Sequence, residues 1–85
     1  MSRPDAATLL AALREFLATR FDIPADQAQP DSSLRDLGLD SMMVMDVMLE
    51  TEDRFDVKLT DLALPREPTL RDVVALIERN LGAQA

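Results

Sequence analysis

The sequence predicts an all-α fold, a small bundle of three main helices plus one short helix, with a long loop between the first and second. Three observations carry this. Apolar residues recur at helical spacing in three separate stretches. The core palette is Leu, Val, Ile, Met and Ala, with three Phe and no Trp or Tyr, which favours helices over sheets. The 85 residues suffice for one domain, 1–85, and not for two. A domain this small buries only about 60% of its unfolded surface, too little to hollow out a deep pocket.

The first helix is expected over about residues 5–19. Pro4 suits its first turn, and Leu9, Leu10, Leu13, Phe16 and Leu17 form one stripe. A connection over about residues 20–40 follows, punctuated by Pro24, Pro30, Asp31, Ser32, Ser33 and Gly38. Loops of that length are uncommon inside a domain, so Phe21, Ile23, Leu34 and Leu37 are expected to pin it to the bundle. The second helix is predicted over about 41–55, with Asp40 as N-cap. Residues 60–64 are predicted as one short helical turn, stopped by Pro65 and Pro68. The last helix is predicted over about 69–81. Thr69-Leu70-Arg71-Asp72 resembles a capping box, Leu70, Val73, Val74, Ile77 and Leu81 form the apolar face, and Gly82 is placed to end it.

Composition excludes several chemistries. With no Cys and no His, there are no disulfides, thiolate nucleophiles, zinc fingers or imidazole acid–base catalysts. The net charge is −7, and such a surface repels nucleic acid. Segment 36–61 holds eight acids against Arg54 and Lys58, nearly all of the excess. The expected partners are therefore basic proteins. No apolar run reaches the roughly 18 residues of a membrane span, and the N-terminus lacks a signal-peptide core. The expectation is a soluble, cytoplasmic monomer.

The second helix has two apolar stripes. With Ser41 at zero and about 100° per residue, Val44, Val47, Met48, Thr51 and Phe55 fall between about 240° and 340°. Met42, Met45 and Leu49 fall between about 40° and 100°, with Asp46, Glu50 and Asp53 beside them at about 120–180° and Glu52 on the other flank. The longer, more β-branched stripe is assigned to the core. The methionine-rich one, rimmed by acids, reads as a docking surface. The competing expectation is that both stripes are buried, one of them under the long loop.

Ser41 opens this helix after the turn Asp36-Leu37-Gly38-Leu39-Asp40. Local pattern alone reads it as a capping residue, because Ser and Asp both favour helix N-termini. A catalytic serine needs a base within hydrogen-bond reach. There is no His, and the single Lys, Lys58, would have to be buried and deprotonated.

The run Asp36-Leu37-Gly38-Leu39-Asp40-Ser41-Met42 resembles the attachment motif of acyl carrier proteins, commonly Leu-Gly-x-Asp-Ser-Leu. Glu52-Asp53-Arg54-Phe55-Asp56-Val57 resembles the acidic-Phe end of that family's second helix, and the order of elements matches along essentially the whole chain. The resemblance implies a carrier without catalysis of its own. Ser41 would be esterified by 4′-phosphopantetheine from coenzyme A, and the arm's thiol would hold the acyl group as a thioester. Asp40 would flank the attachment point. The implied partners are a phosphopantetheinyl transferase, an acyl-loading ligase or acyltransferase, and a ketosynthase or other downstream synthase enzyme with a basic docking patch. Their contacts would be Met42, Met45, Asp46, Leu49, Glu50 and Asp53.

The sequence departs from that pattern in places. Met42 replaces the usual Leu. Met43 stands where many fatty-acid carriers have an acid. Glu67-Pro68-Thr69-Leu70 looks more like carrier domains of polyketide or peptide assembly lines. These features point to a free-standing carrier in a fatty-acid-like or polyketide-type specialised pathway. A peptidyl or aminoacyl carrier is the alternative: such carriers often show Gly-Gly-x-Ser, but D-alanyl-type carriers also have Asp-Ser-Met. A helical interaction module without a prosthetic group is the rival of another class. An EF-hand opening at Asp31 fails, because its sixth position is Asp36 and its twelfth Met42.

Overall fold

Both ends of the first two helices and the start of the third carry a side chain or a backbone turn that takes up unpaired end groups. The computed structural model describes residues 4–83, in which the helices are α1 (Ala6–Phe21), α2 (Ser41–Phe55) and α3 (Leu70–Ala83). Asp5 is the N-cap of α1, its carboxylate accepting from the Thr8 N–H at 2.8 Å. Pro4 therefore lies before the cap and not in the first turn. The helix runs two residues beyond the expected Thr19, because the left-handed residue that closes it is Asp22 (φ 59°). Phe21 stays helical and sets its ring edge-on to Phe16, with centroids 5.8 Å apart. Asp56 closes α2 in the same left-handed way (φ 52°).

The capping box of α3 is formed as the sequence suggested. The Thr69 hydroxyl accepts from the Asp72 N–H, and the Asp72 carboxylate accepts from the Thr69 N–H at 2.9 Å. Gly82 does not end the helix but lies inside it. Helix α1 packs against both α2 and α3. The core is built from Leu9, Leu13 and Leu17 of α1, Val47 and Met48 of α2, and Leu70, Val73, Val74, Leu76 and Ile77 of α3. Leu76 is fully buried although it lay outside the expected apolar face. Helix α3 thus buries a broader stripe than its sequence pattern suggested.

The long connection is pinned where its sequence predicted, and at two further points. Ile23 and Leu34 are buried, Phe21 and Leu37 pack partly against the core, and Ala28 and Leu39 are also buried. The Arg14 guanidinium donates to the Ala25 carbonyl at 2.8 Å, tying the loop to α1.

The predicted short helix at 60–64 is not helical. Its backbone groups are engaged by Asn80 of α3, which is 1% exposed. The Asn80 Oδ1 accepts from the N–H groups of Thr60 and Asp61 at 2.9 and 3.0 Å. The Asn80 Nδ2 donates to the Asp61 carbonyl at 2.8 Å. Arg79 adds a bond to the Ala63 carbonyl and an ion pair with Asp61 at 3.2 Å. One asparagine thus satisfies the donors and the acceptor that a helical turn would have used internally. The Ala63 N–H, and after it Arg79, hold the Asp61 carboxyl below its ordinary range. That contact is intact at neutral pH and is lost only as acid protonates Asp61 through its lowered pKa.

Asn80→Ala leaves these groups without partners and should cost about 2–3 kcal/mol of stability. Urea melts of Asn80→Ala beside Glu78→Ala, at an exposed position of the same helix, measure it. Equal midpoints for the two variants would show that the clamp contributes nothing.

Candidate functional site

The turn before α2 is held by a nested set of backbone bonds. The Ser33 hydroxyl accepts from the Asp36 N–H at 3.0 Å, and the Leu37 N–H donates to the Ser33 carbonyl. Gly38 then takes a left-handed conformation (φ 78°). Its N–H donates to the Arg35 carbonyl, and the Leu39 N–H donates to the Leu34 carbonyl, both at 2.9 Å. This pair of bonds is a Schellman motif, with glycine at the position that a side chain would strain. Nothing lies within 4 Å of where a Gly38 Cβ would sit, so glycine is required here by backbone conformation and not by crowding. The residues that flank the motif, Leu34 and Leu39, are both buried, which supplies its usual apolar contact.

The same turn is fastened to the start of α3. The Leu34 N–H donates to the Pro68 carbonyl at 2.9 Å, the Leu70 N–H to the Ser32 carbonyl at 3.1 Å, and the Arg71 N–H to the Pro30 carbonyl at 2.9 Å. Arg71 also pairs with Asp31 at 2.7 Å. After Leu39 turns inward, Asp40 and Ser41 are exposed. Asp40 caps α2, its carboxylate accepting from the Met43 N–H at 2.9 Å. The capping role that local pattern offered to Ser41 thus falls to Asp40. Among the described residues no hydrogen bond engages the Ser41 hydroxyl. It stands at the first residue of α2, where the leading N–H groups of a helix lack intrahelical partners and favour negative charge.

The two stripes of α2 separate. Val47, Met48 and Thr51 are buried, while Met42, Met45 and Leu49 are 79%, 51% and 57% exposed. The long loop therefore covers neither Met45 nor Leu49, and the expectation that both stripes are buried fails. Val44 and Phe55, assigned to the core from sequence, are only partly buried and pack at its edge. An open groove lined by Leu49, Glu52, Asp53, Asp56, Val57 and Lys58 continues the exposed stripe towards the end of the helix.

The acids beside the stripe are not equivalent. Glu50 and Asp53 are exposed and join no ion pair among the described residues. Asp46 pairs with Arg20 of α1 at 3.8 Å. Glu52 has a structural part, accepting from the Leu59 N–H at 2.9 Å and so holding the chain that leaves α2. Lys58 is exposed and follows the far end of α2, about 20 Å along the helix from Ser41 and out of reach as its base.

The chain is thus a small helical bundle whose second helix opens on an exposed hydroxyl and carries an apolar stripe with an acidic rim. The comparisons give that class its family. A model of the phosphopantetheine attachment site matches residues 11–77. The acyl carrier protein of Streptomyces coelicolor is 34% identical over 99% of this chain and 94% of its own length. A segment of the non-reducing polyketide synthase Preu3 of Preussia isomera is 42% identical over 59% of this chain, which is 2% of that synthase. The solved acyl carrier protein of Thermotoga maritima shares the fold, with a TM-score of 0.79 and 19% identity over 94% of each chain. The chain belongs to the acyl carrier protein family. Its members are non-catalytic carriers of covalent 4′-phosphopantetheine and substrates of phosphopantetheinyl transferases. The turn fits that group: it leaves an unbonded hydroxyl, open space above Gly38 and the amino end of a helix together. Among the described residues, no helix is long and apolar enough to cross a membrane.

The division of α2 can be measured. Met48→Ala removes a buried side chain and should cost about 2–4 kcal/mol. Met45→Ala, at the exposed stripe, should cost about 1 kcal/mol or less. Equal shifts in urea midpoint would place Met45 in the core and overturn the assignment.

Proposed function

We propose that Ser41 is the attachment point of the 4′-phosphopantetheine arm. A phosphopantetheinyl transferase moves phosphopantetheine from coenzyme A onto the Ser41 Oγ, and the nucleotide half of coenzyme A departs. The exposed, unbonded Ser41 hydroxyl at the start of α2 is the observation that carries this reading. When attached, the arm supplies the thiol that a chain without cysteine lacks, and acyl groups ride on it as thioesters. The chain's own residues do the rest. Gly38 and Leu39 set the position of the turn, Asp40 fixes the start of α2, and the leading N–H groups of α2 favour the phosphodiester.

The stripe Met42, Met45 and Leu49 is the docking face in this reading, with Asp46, Glu50 and Asp53 drawing basic partners. Methionine repacks against differently shaped surfaces, which suits a carrier that visits a transferase, a loading ligase or acyltransferase, and a ketosynthase or other synthase enzyme in turn. Met43, Glu67-Pro68-Thr69-Leu70 and the match to a polyketide synthase segment support a fatty-acid-like or polyketide-type specialised pathway of acyl assembly, and a cytoplasmic location belongs to the same reading. Asp40-Ser41-Met42 keeps an aminoacyl cargo as the second reading, and loading assays with amino-acid ligases separate the two.

Incubation with coenzyme A, magnesium and a broad-specificity transferase should add the mass of one phosphopantetheine to Ser41. Ser41→Ala should fold normally, since Asp40 makes the cap, and gain no mass. Addition elsewhere, or no addition with several active transferases, contradicts the reading. Asp53→Lys should lower the kcat/KM of loading several-fold at low salt, and the difference should shrink as salt rises. An unchanged rate at low salt would reduce the acidic rim to a solvated surface.

A further inference from the structure

Among the described residues, Asp46 is the one of the acids proposed to draw basic partners that is met by a cation of its own chain. Arg20 reaches it from the last turn of α1, with N to O separated by 3.8 Å. The side chains remain 61% and 46% exposed. An ion pair this long and this open is weak, and it holds neither helix in place by itself. Helix α1 is joined to α2 independently by Leu9, Leu13 and Leu17 in the shared core and by the Arg54–Glu15 pair at 3.5 Å. The α1 C-terminus explains a basic residue at position 20, but it does not explain why that residue extends across to α2.

We infer that Arg20 is a specificity-determining residue of the docking face, screening Asp46 so that partners are selected by Glu50 and Asp53. This rests on the docking reading above. Asp53 lies seven residues beyond Asp46, about 10 Å further along the helix. Screening Asp46 therefore moves the attractive centre away from Ser41, towards the groove beside Leu49 and Asp53. A partner whose Arg or Lys residues are spaced to meet Glu50 and Asp53 has no guanidinium to displace from either acid, although Lys58 lines the same groove. One that puts its cation over Asp46 meets a guanidinium already there and must displace it. Like charges brought together in this way are a means of discrimination as much as opposite charges are.

The test uses the full chain, coenzyme A and a phosphopantetheinyl transferase, with kcat/KM of loading measured at low and at physiological salt. The variants are Arg20→Gln, Asp46→Asn, the two combined, and Asp53→Asn, each checked for fold by circular dichroism. Arg20→Gln should raise kcat/KM about two- to threefold at low salt, with the gain fading as salt rises. Asp46→Asn should lower kcat/KM more in the Arg20→Gln background than in the wild-type chain, and should abolish the gain. A gain that survives Asp46→Asn would come from net charge and would overturn the inference. So would an unchanged or slower rate for Arg20→Gln while Asp53→Asn slows loading, an outcome that leaves the docking reading standing. If Asp53→Asn and Asp46→Asn both load at the wild-type rate in either background, the docking reading fails and the screening role with it.

Discussion

Leu34 stands at the junction on which the rest of the structure depends. Its N–H donates to Pro68 at the approach to α3, its carbonyl accepts from Leu39 on the far side of Gly38, and its side chain is buried. The glycine turn, the start of α3 and the core are thereby joined at one residue. An exposed loop with only polar contacts would sample many positions, and the hydroxyl at its end would move with it. Here the segment leading to Ser41 is held by side-chain burial and by backbone bonds made in both directions.

That junction lets a thin bundle separate two demands on one helix. The buried side of α2 contributes Val47, Met48 and Thr51 to the fold. The other side can then expose Met42, Met45 and Leu49 without loss of the core. Leaving large apolar side chains in water carries a cost, and their grouping beside Glu50 and Asp53 is what a recurrent binding surface needs. The Ser41 hydroxyl and the exposed stripe lie on the same helix, so in the proposed reading recognition of one fixes the approach to the other.

Where local chemistry decides structure, the sequence was legible. The bounds of α2 were readable because Asp40 caps it and the helical pattern stops after Phe55. The capping box at Thr69 and the two faces of α2 followed from spacing alone. The Leu-Gly-x-Asp-Ser run was recognisable as a family motif, but the reason for its glycine and for the inward Leu39 needed the backbone bonds. What distant residues decide was not legible. Segment 60–64 looked like a helical turn because its partner, Asn80, lies about twenty residues on; a lone polar residue within an apolar helical face was the available signal. Val44 and Phe55 sit on the core side of α2 yet at its edge, which no helical wheel distinguishes. The pairing of Arg20 with Asp46 depends on how α1 lies against α2, and neither residue advertises it.

If Ser41 stands on a mount as rigid as the core, the amides that hold its turn open only when the core opens. Native-state amide hydrogen exchange at Leu34, Leu39, Leu70 and Arg71, compared with buried positions in α1 such as Leu13, tests it most directly. These four amides should exchange through the same global opening as Leu13, with similar protection and the same response to low urea. Exchange of Leu34 and Leu39 at rates near those of an unprotected loop, while Leu13 stays protected, would contradict it.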